Sequence, residues 1–185
     1  NFNNLIGLPL SVLKLSAEHR AAVFEMGMSE PGEIRRLAEI AAPTIGVITN
    51  VGPCHLEQLG SLDAVAAAKG ELFEALGPAD CAVVNRDDER VRALGAATAA
   101  RVMTCGLSAG DVHAAHIQTA ADGAHAFELH IGAASAWVRL GLPGAHFVSN
   151  ALAAAAAASN TIAGPSGGAS APGASASGSP PGALR

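Results

Sequence analysis

The sequence predicts an α/β protein: a mostly parallel sheet flanked by helices, with a small antiparallel strand section toward its end. Three observations predict it. Up to about residue 105, short apolar or β-branched runs alternate with stretches of helical periodicity, the pattern of parallel strands joined by crossover helices. From Val112 to Leu140 the strand-like runs follow one another directly, separated by glycine turns, as antiparallel strands do. The chain is 50% apolar but only 3% aromatic, so its core is one of Ala, Val, Leu and Ile, which suits helices laid on a sheet.

The elements follow in order. Ala21-Ala22-Val23-Phe24 is a short apolar run before Glu25 and Gly27 and predicts a buried strand that ends in a turn. Pro31-Gly32-Glu33 opens a helix whose Ile34, Leu37, Ala38 and Ala41 share one face. A second strand covers Thr44 to Thr49 and stops at Asn50-Val51-Gly52-Pro53. Ser61 is the predicted N-cap of a helix running to about Leu76. Cys81 to Val84 is a third strand, Asp88 to Ala97 a helix, and Arg101 to Thr104 a fourth strand. The antiparallel strands are placed at His113–Ala120, His125–Ile131 and Ser135–Leu140, with turns at Asp122-Gly123 and Gly132. After a turn at Gly141-Leu142-Pro143-Gly144 a helix starts near Phe147. From Ala163 onward, 21 of 23 residues are Ala, Gly, Pro or Ser. Such a segment buries too little apolar surface to offset its chain entropy and is predicted to be disordered. One domain over residues 1–162 and a tail over residues 163–185 are therefore expected.

A net charge of −5 offers no attraction for nucleic acid or anionic membranes, and neither is expected as a partner. Bound phosphate must be held by local dipoles, a metal or a few placed cations, because the lysines are two, Lys14 and Lys69. Cys54, Cys81 and Cys105 lie far apart without a CxxC pair and read as small core residues of a reduced protein. No apolar run reaches the length of a membrane span. A cytoplasmic monomer is the expectation.

In open parallel sheets, ligands bind beyond the carboxyl ends of the strands. Glu25 ends the first strand, Asn50 ends the second, and His55 follows five residues after Asn50. A carboxylate and an imidazole can together hold a divalent cation; carboxylate suits Mg²⁺, imidazole less so. Glu25 is otherwise a capping or surface carboxylate, and His55 a satisfied loop histidine. Lys69 sits mid-helix among alanines and Gly70. Desolvation there makes an amine nucleophilic, able to take up carbon dioxide as a carbamate; the commoner fate is a solvent-facing lysine. Asn150, in the first turns of the last helix, can read a purine edge or serve simply as a polar helix-start residue.

Taken together, the segments resemble the central domain of the Mur ligases, the ATP-dependent amide-forming enzymes of peptidoglycan precursor synthesis. The resemblance rests on Asn3-Asn4-Leu5-Ile6-Gly7-Leu8-Pro9, Phe24-Glu25-Met26-Gly27 and Thr49-Asn50-Val51-Gly52 with His55-Leu56-Glu57. Lys69-Gly70-Glu71-Leu72-Phe73 and Leu142-Pro143-Gly144 through Asn150-Ala151-Leu152 complete it, over about residues 1–162. It implies a P-loop NTPase-like fold, ATP and Mg²⁺ as cofactors, and a reaction through an acyl phosphate. The Asn-Asn-x-Ile-Gly-x-Pro and His-Leu-Glu variants point to the member that adds D-alanyl-D-alanine to UDP-N-acetylmuramoyl-tripeptide. By the same resemblance Glu25 and His55 match magnesium ligands, and Lys69 matches a carbamylated lysine of the metal site. Asn150 matches an adenine-contacting asparagine, Asn50 falls in the ATP phosphate region, and Asn3 and Asn4 lie near the muramoyl substrate.

Two departures stand out. The family's phosphate loop ending in Gly-Lys-Thr belongs upstream of Asn1, and Phe147 occupies a position where the family often has a second asparagine. The domains that flank the central one are not in the sequence either, so a truncated or frame-shifted product, inactive alone, is expected. The competing readings are a non-catalytic remnant of the same fold, another Mur-type ligase, or a folylpolyglutamate synthase.

Overall fold

A computed structural model describes residues 2–54 and 56–163. The first elements are α1 (Gly7–Val12), α2 (Glu33–Ala41), β1 (Ile45–Ile48), α3 (Leu56–Leu59), α4 (Leu62–Glu74) and β2 (Cys81–Asn85). The chain continues through α5 (Glu89–Ala97), β3 (Arg101–Gly106), β4 (Val112–Thr119), β5 (Ala124–Ile131), β6 (Ala134–Pro143) and α6 (His146–Ala163).

Local chemistry fixes several helix starts. Ser61 has extended backbone and its Oγ accepts the Ala64 amide at 3.1 Å, capping α4 as its sequence position predicts. Asp88 caps α5 in the same way, its Oδ1 accepting the amides of Arg90 and Val91. α2 begins after Gly32, which has no side chain to offer. Its cap arrives from another helix: the carboxylate of Glu71, 7% exposed on α4, accepts the amides of Gly32 at 2.7 Å and Arg35 at 3.0 Å.

The six strands form one sheet in sequence order. β1 to β4 run parallel, and β4, β5 and β6 are antiparallel neighbours. Alternate residues of β2 feed opposite faces: Ala82 and Val84 join a core with Leu37 of α2, Val65 and Phe73 of α4 and Val91 of α5. Cys81 and Val83 join Val112, Phe127 and, from α6, Val148, Leu152 and Ala156 on the other face. The sheet is thus covered on both sides, which is why β2 reads as a continuous apolar run. At Gly95 an added Cβ would lie 2.6 Å from Val84 Cγ2, so the glycine sets how closely α5 approaches β2.

The predicted α/β architecture and its antiparallel section are present. Three expectations need correction. Ala21 to Phe24 form no strand: Val23 is 98% exposed, and the segment lines a groove without pairing to any strand of the sheet. An apolar run becomes a strand only where a neighbouring chain supplies ladder partners. The turn expected at residues 141–144 starts later, because β6 stays paired as far as Pro143, opposite Ala124. The last helix extends through Ala163, where the disordered tail was expected to begin; the remainder of that tail, residues 164–185, falls outside the described residues. Among the described residues, no helix is long and apolar enough to cross a membrane.

Candidate functional site

β1 is an edge strand, and among the described residues the outer side of its backbone has no ladder partner. A groove of about 720 Å³ follows that edge. Its far wall is the irregular segment from Arg20 to Met26; Ile34 and Ala41 of α2 with Lys69 and Leu72 of α4 close one face, and Ala157 and Thr161 of α6 the other. The lining along β1 is apolar. Beyond its carboxyl end it turns polar, with Thr49, Asn50, Glu25 and Lys69.

The structure therefore brings three of the sequence-predicted residues to one groove, from an irregular segment, the loop after a strand, and a helix. Lys69 Nζ donates to the carbonyl oxygen of Asn50 at 2.8 Å. The lysine is half-buried, so it is neither the enclosed amine that desolvation alone would make reactive nor a free solvent-facing one. Glu25 is exposed, and its Oε1 accepts a 3.1 Å hydrogen bond from Asn3 Nδ2. The N-terminal segment is pinned there a second time, where Gly27 N donates to the Asn3 carbonyl at 2.7 Å. The crossing is close: a Cβ on residue 27 would meet Asn3 Nδ2 at 3.1 Å, so a larger residue there would have to push the Asn3 side chain aside.

Asn4 and Asn150 do not line this groove. Asn4 Oδ1 accepts the amides of Ile6 and Gly7, a local turn that leads into α1 and commits its oxygen to the backbone. Asn150 is exposed near the start of α6. It stands about 10 Å along the helix axis from Ala157, which lines the groove. His55 lies outside the described residues.

Sequence reasoning passed over Asn85 and Asp88, which follow β2 and reach the same turn that carries Asn50. Asn85 Nδ2 donates to the Thr49 carbonyl at 2.7 Å, and Asp88 Oδ2 accepts the Val51 amide at 2.8 Å. The available signal was the polar run Asn85-Arg86-Asp87-Asp88 at a parallel strand's carboxyl end, of which the sequence reading used only Asp88, as the first residue of a helix. Burial, with a smaller push from Asp87, raises the Cys105 thiol to about 11, and burial also raises Cys81.

Among the described residues, no three His, Cys, Asp or Glu side chains are placed to hold a metal ion by themselves. The groove instead offers one carboxylate, Glu25, and the oxygens of Thr49 and Asn50. Such a donor set fits Mg²⁺ that arrives with nucleotide phosphates, because this ion keeps waters and takes one or two carboxylates beside the phosphates. The Lys69 amine is no ligand for a hard cation as it stands; as a carbamate it would add a second anion.

The sequence profile of the Mur ligase middle domain matches residues 1–158. The UDP-N-acetylmuramoyl-tripeptide–D-alanyl-D-alanine ligase of Mycobacterium tuberculosis (strain ATCC 25618 / H37Rv) is 42% identical over 159 residues, 85% of this chain and 31% of that protein. Its Escherichia coli (strain K12) counterpart is 35% identical over 159 residues, 84% of this chain and 35% of that one. Among solved structures, MurF from Acinetobacter baumannii superposes with a TM-score of 0.81 at 35% identity, covering 85% of this chain and 35% of that one. The MurF ligase from Thermotoga maritima in complex with ADP gives 0.71 at 26% identity, covering 83% and 36%. The chain spans about a third of the length of the curated relatives it matches.

Proposed function

This chain belongs to the Mur ligase family, and from that premise we propose that it carries the nucleotide-side part of an ATP-dependent amide ligase joining D-alanyl-D-alanine to UDP-N-acetylmuramoyl-tripeptide. The observation that carries the reading is the meeting of Glu25, Asn50 and Lys69 in one groove at the carboxyl end of β1. A carboxylate and a placed amine at the end of a parallel strand are what phosphoryl transfer needs from a protein that is otherwise acidic.

In this reading the tripeptide's terminal carboxylate takes the γ-phosphoryl group of ATP, giving an acyl phosphate. The dipeptide amine then attacks the acyl carbon, loses its proton, and phosphate leaves. Mg²⁺, when bound, neutralises charge on the transferring phosphoryl group. Glu25 holds the metal side of the site, with Asn3 fixing its carboxylate through one oxygen and leaving the other available. His55 is assigned to the same metal. Lys69, oriented by the Asn50 carbonyl, supplies a cation near the phosphates or, once carbamylated, a second metal-facing anion. Asn150 is assigned to the adenine, and the Asn3-Asn4 turn to the muramoyl end of the substrate. A cytoplasmic monomer completes the reading.

The test is a chimeric ligase in which this chain's matched segment replaces that of the Mycobacterium tuberculosis relative. Incubated with ATP, Mg²⁺, UDP-N-acetylmuramoyl-tripeptide and D-alanyl-D-alanine, it should yield the pentapeptide amide by mass spectrometry. Product with a single amino acid but not with the dipeptide would assign another Mur-type ligase. A folded chimera yielding no product with either amine would leave a non-catalytic remnant of the fold.

A further inference from the structure

The parallel ladder between β1 and β2 ends at the pair Ile48–Val84. Beyond it the two chains diverge into a turn on one side and a helix start on the other, and side chains replace the ladder. Asn85 Nδ2 donates to the Thr49 carbonyl at 2.7 Å, one residue before Asn50. Asp88 Oδ2 accepts the Val51 amide at 2.8 Å, one residue after it. Both side chains are anchored at their own end: Asn85 Oδ1 accepts the Asp87 amide, and Asp88 Oδ1 accepts the amides of Arg90 and Val91. Each therefore reaches the turn from a fixed base, not as a free surface group. The Val51 amide and the Asn50 carbonyl belong to one peptide group, so the group that Asp88 holds on one side presents to Lys69 Nζ, at 2.8 Å, the oxygen on its other side.

We propose that Asn85 and Asp88 are positioning residues for that site: together they brace the turn at Thr49 to Val51 and so hold the Asn50 carbonyl where Lys69 meets it. The inference rests on the reading that assigns Lys69 to the ligase site. Neither side chain lines the groove; Asn85 acts through the main chain of Thr49, which does, and Asp88 through the amide of Val51, which is bonded to the Asn50 carbonyl carbon. Two clamps on one three-residue turn exceed what capping α5 requires, since Asp88 Oδ1 alone serves that helix.

The experiment uses the 185-residue chain itself and exploits its having two lysines, Lys14 and Lys69. Lys14 is exposed on the N-terminal segment and serves as an internal standard. The chain is treated with trinitrobenzenesulfonate, and the labelling rate of each lysine is read by peptide mass spectrometry. Asp88→Ser keeps a short cap for α5 but is too short to reach Val51, and Asn85→Ser removes the bond to Thr49. In each variant the ratio of Lys69 to Lys14 labelling should rise by about 2- to 10-fold, the equivalent of releasing one hydrogen bond, with circular dichroism unchanged. A melting temperature that drops while the ratio stays at the parent value would overturn the proposal, and so would loss of the native spectrum in both variants, which assigns the pair to stability alone. The readout needs no turnover. If the chimeric ligase is inactive while the ratio rises, the ligase reading fails and the positioning stands; if it is active while the ratio does not move, the reverse holds.

Discussion

Lys69 Nζ and the carbonyl oxygen of Asn50 lie 2.8 Å apart, joining α4 to the turn that leaves β1. The bond is partly solvated, so its share of stability is small, about 1 kcal/mol or less. Its functional share is expected to be large. Lys69→Arg keeps a cation and a donor but cannot form a carbamate under ordinary conditions. If the carbamate is the working form, Lys69→Arg in the chimeric ligase loses about 100-fold or more in kcat while its urea midpoint matches the parent's. Retention of parental kcat would show that a cation suffices.

Glu71 is expected to matter to the fold and not to the chemistry. Its buried carboxylate caps α2 across the helix interface through Gly32 and Arg35. Glu71→Ala leaves those two amides without their acceptor, and a loss of about 2–4 kcal/mol follows. Glu71→Gln keeps one acceptor oxygen and should lose less. Urea unfolding of the two variants, followed by circular dichroism, checks both the loss and its order.

Acid stability is expected to depend on Asp111. Thr104 donates its amide and hydroxyl to Asp111 Oδ2 at 2.8 Å each, and these bonds hold the carboxyl below its ordinary value of 3.8. A group depressed in the folded state stabilises above its unfolded value and loses that contribution as pH falls through the folded one. Lowering the pH beneath about 3.8 should therefore destabilise the parent more than Asp111→Ala. Solvent screening at this exposed site keeps the difference under about 1 kcal/mol. Urea midpoints at pH 5 and pH 3 give the comparison.

Thiol reactivity offers a test of the core. Cys81 and Cys105 are each 2% exposed and have raised thiol values, whereas Cys54 is half-buried. A disulfide reagent at pH 8 should titrate one thiol quickly in the native chain and three in urea. Fast reaction of a second native thiol would contradict the packing around β2 and β3.

The sequence carried the elements whose signals are local. Ser61 and Asp88 mark helix starts by capping chemistry, and the run Cys81 to Val84 marks a strand buried on both faces. The run Ala21 to Phe24 misled because being apolar says nothing of whether a neighbouring backbone is present to pair with. Glu25 and Lys69 could be picked out by residue type and by the family resemblance, Asn50 also by its place beyond β1, and the meeting of Asn50 with Lys69 needed the fold. The clamps from Asn85 and Asp88 were not legible, because a contact spanning 36 or 37 residues leaves no periodic trace in a single sequence. The same holds for Glu71, whose place in the last turn of α4 gives no hint that it caps α2.

The most direct measurement is the turnover of the chimeric ligase with Glu25→Gln and, separately, Lys69→Met, each compared with the parent at saturating ATP and both substrates. The site described here predicts that both variants keep the parent's circular dichroism spectrum and lose about 100-fold or more in kcat. Amide formation by either variant at a rate within about twofold of the parent, far less than removing a transition-state contact costs, would contradict it.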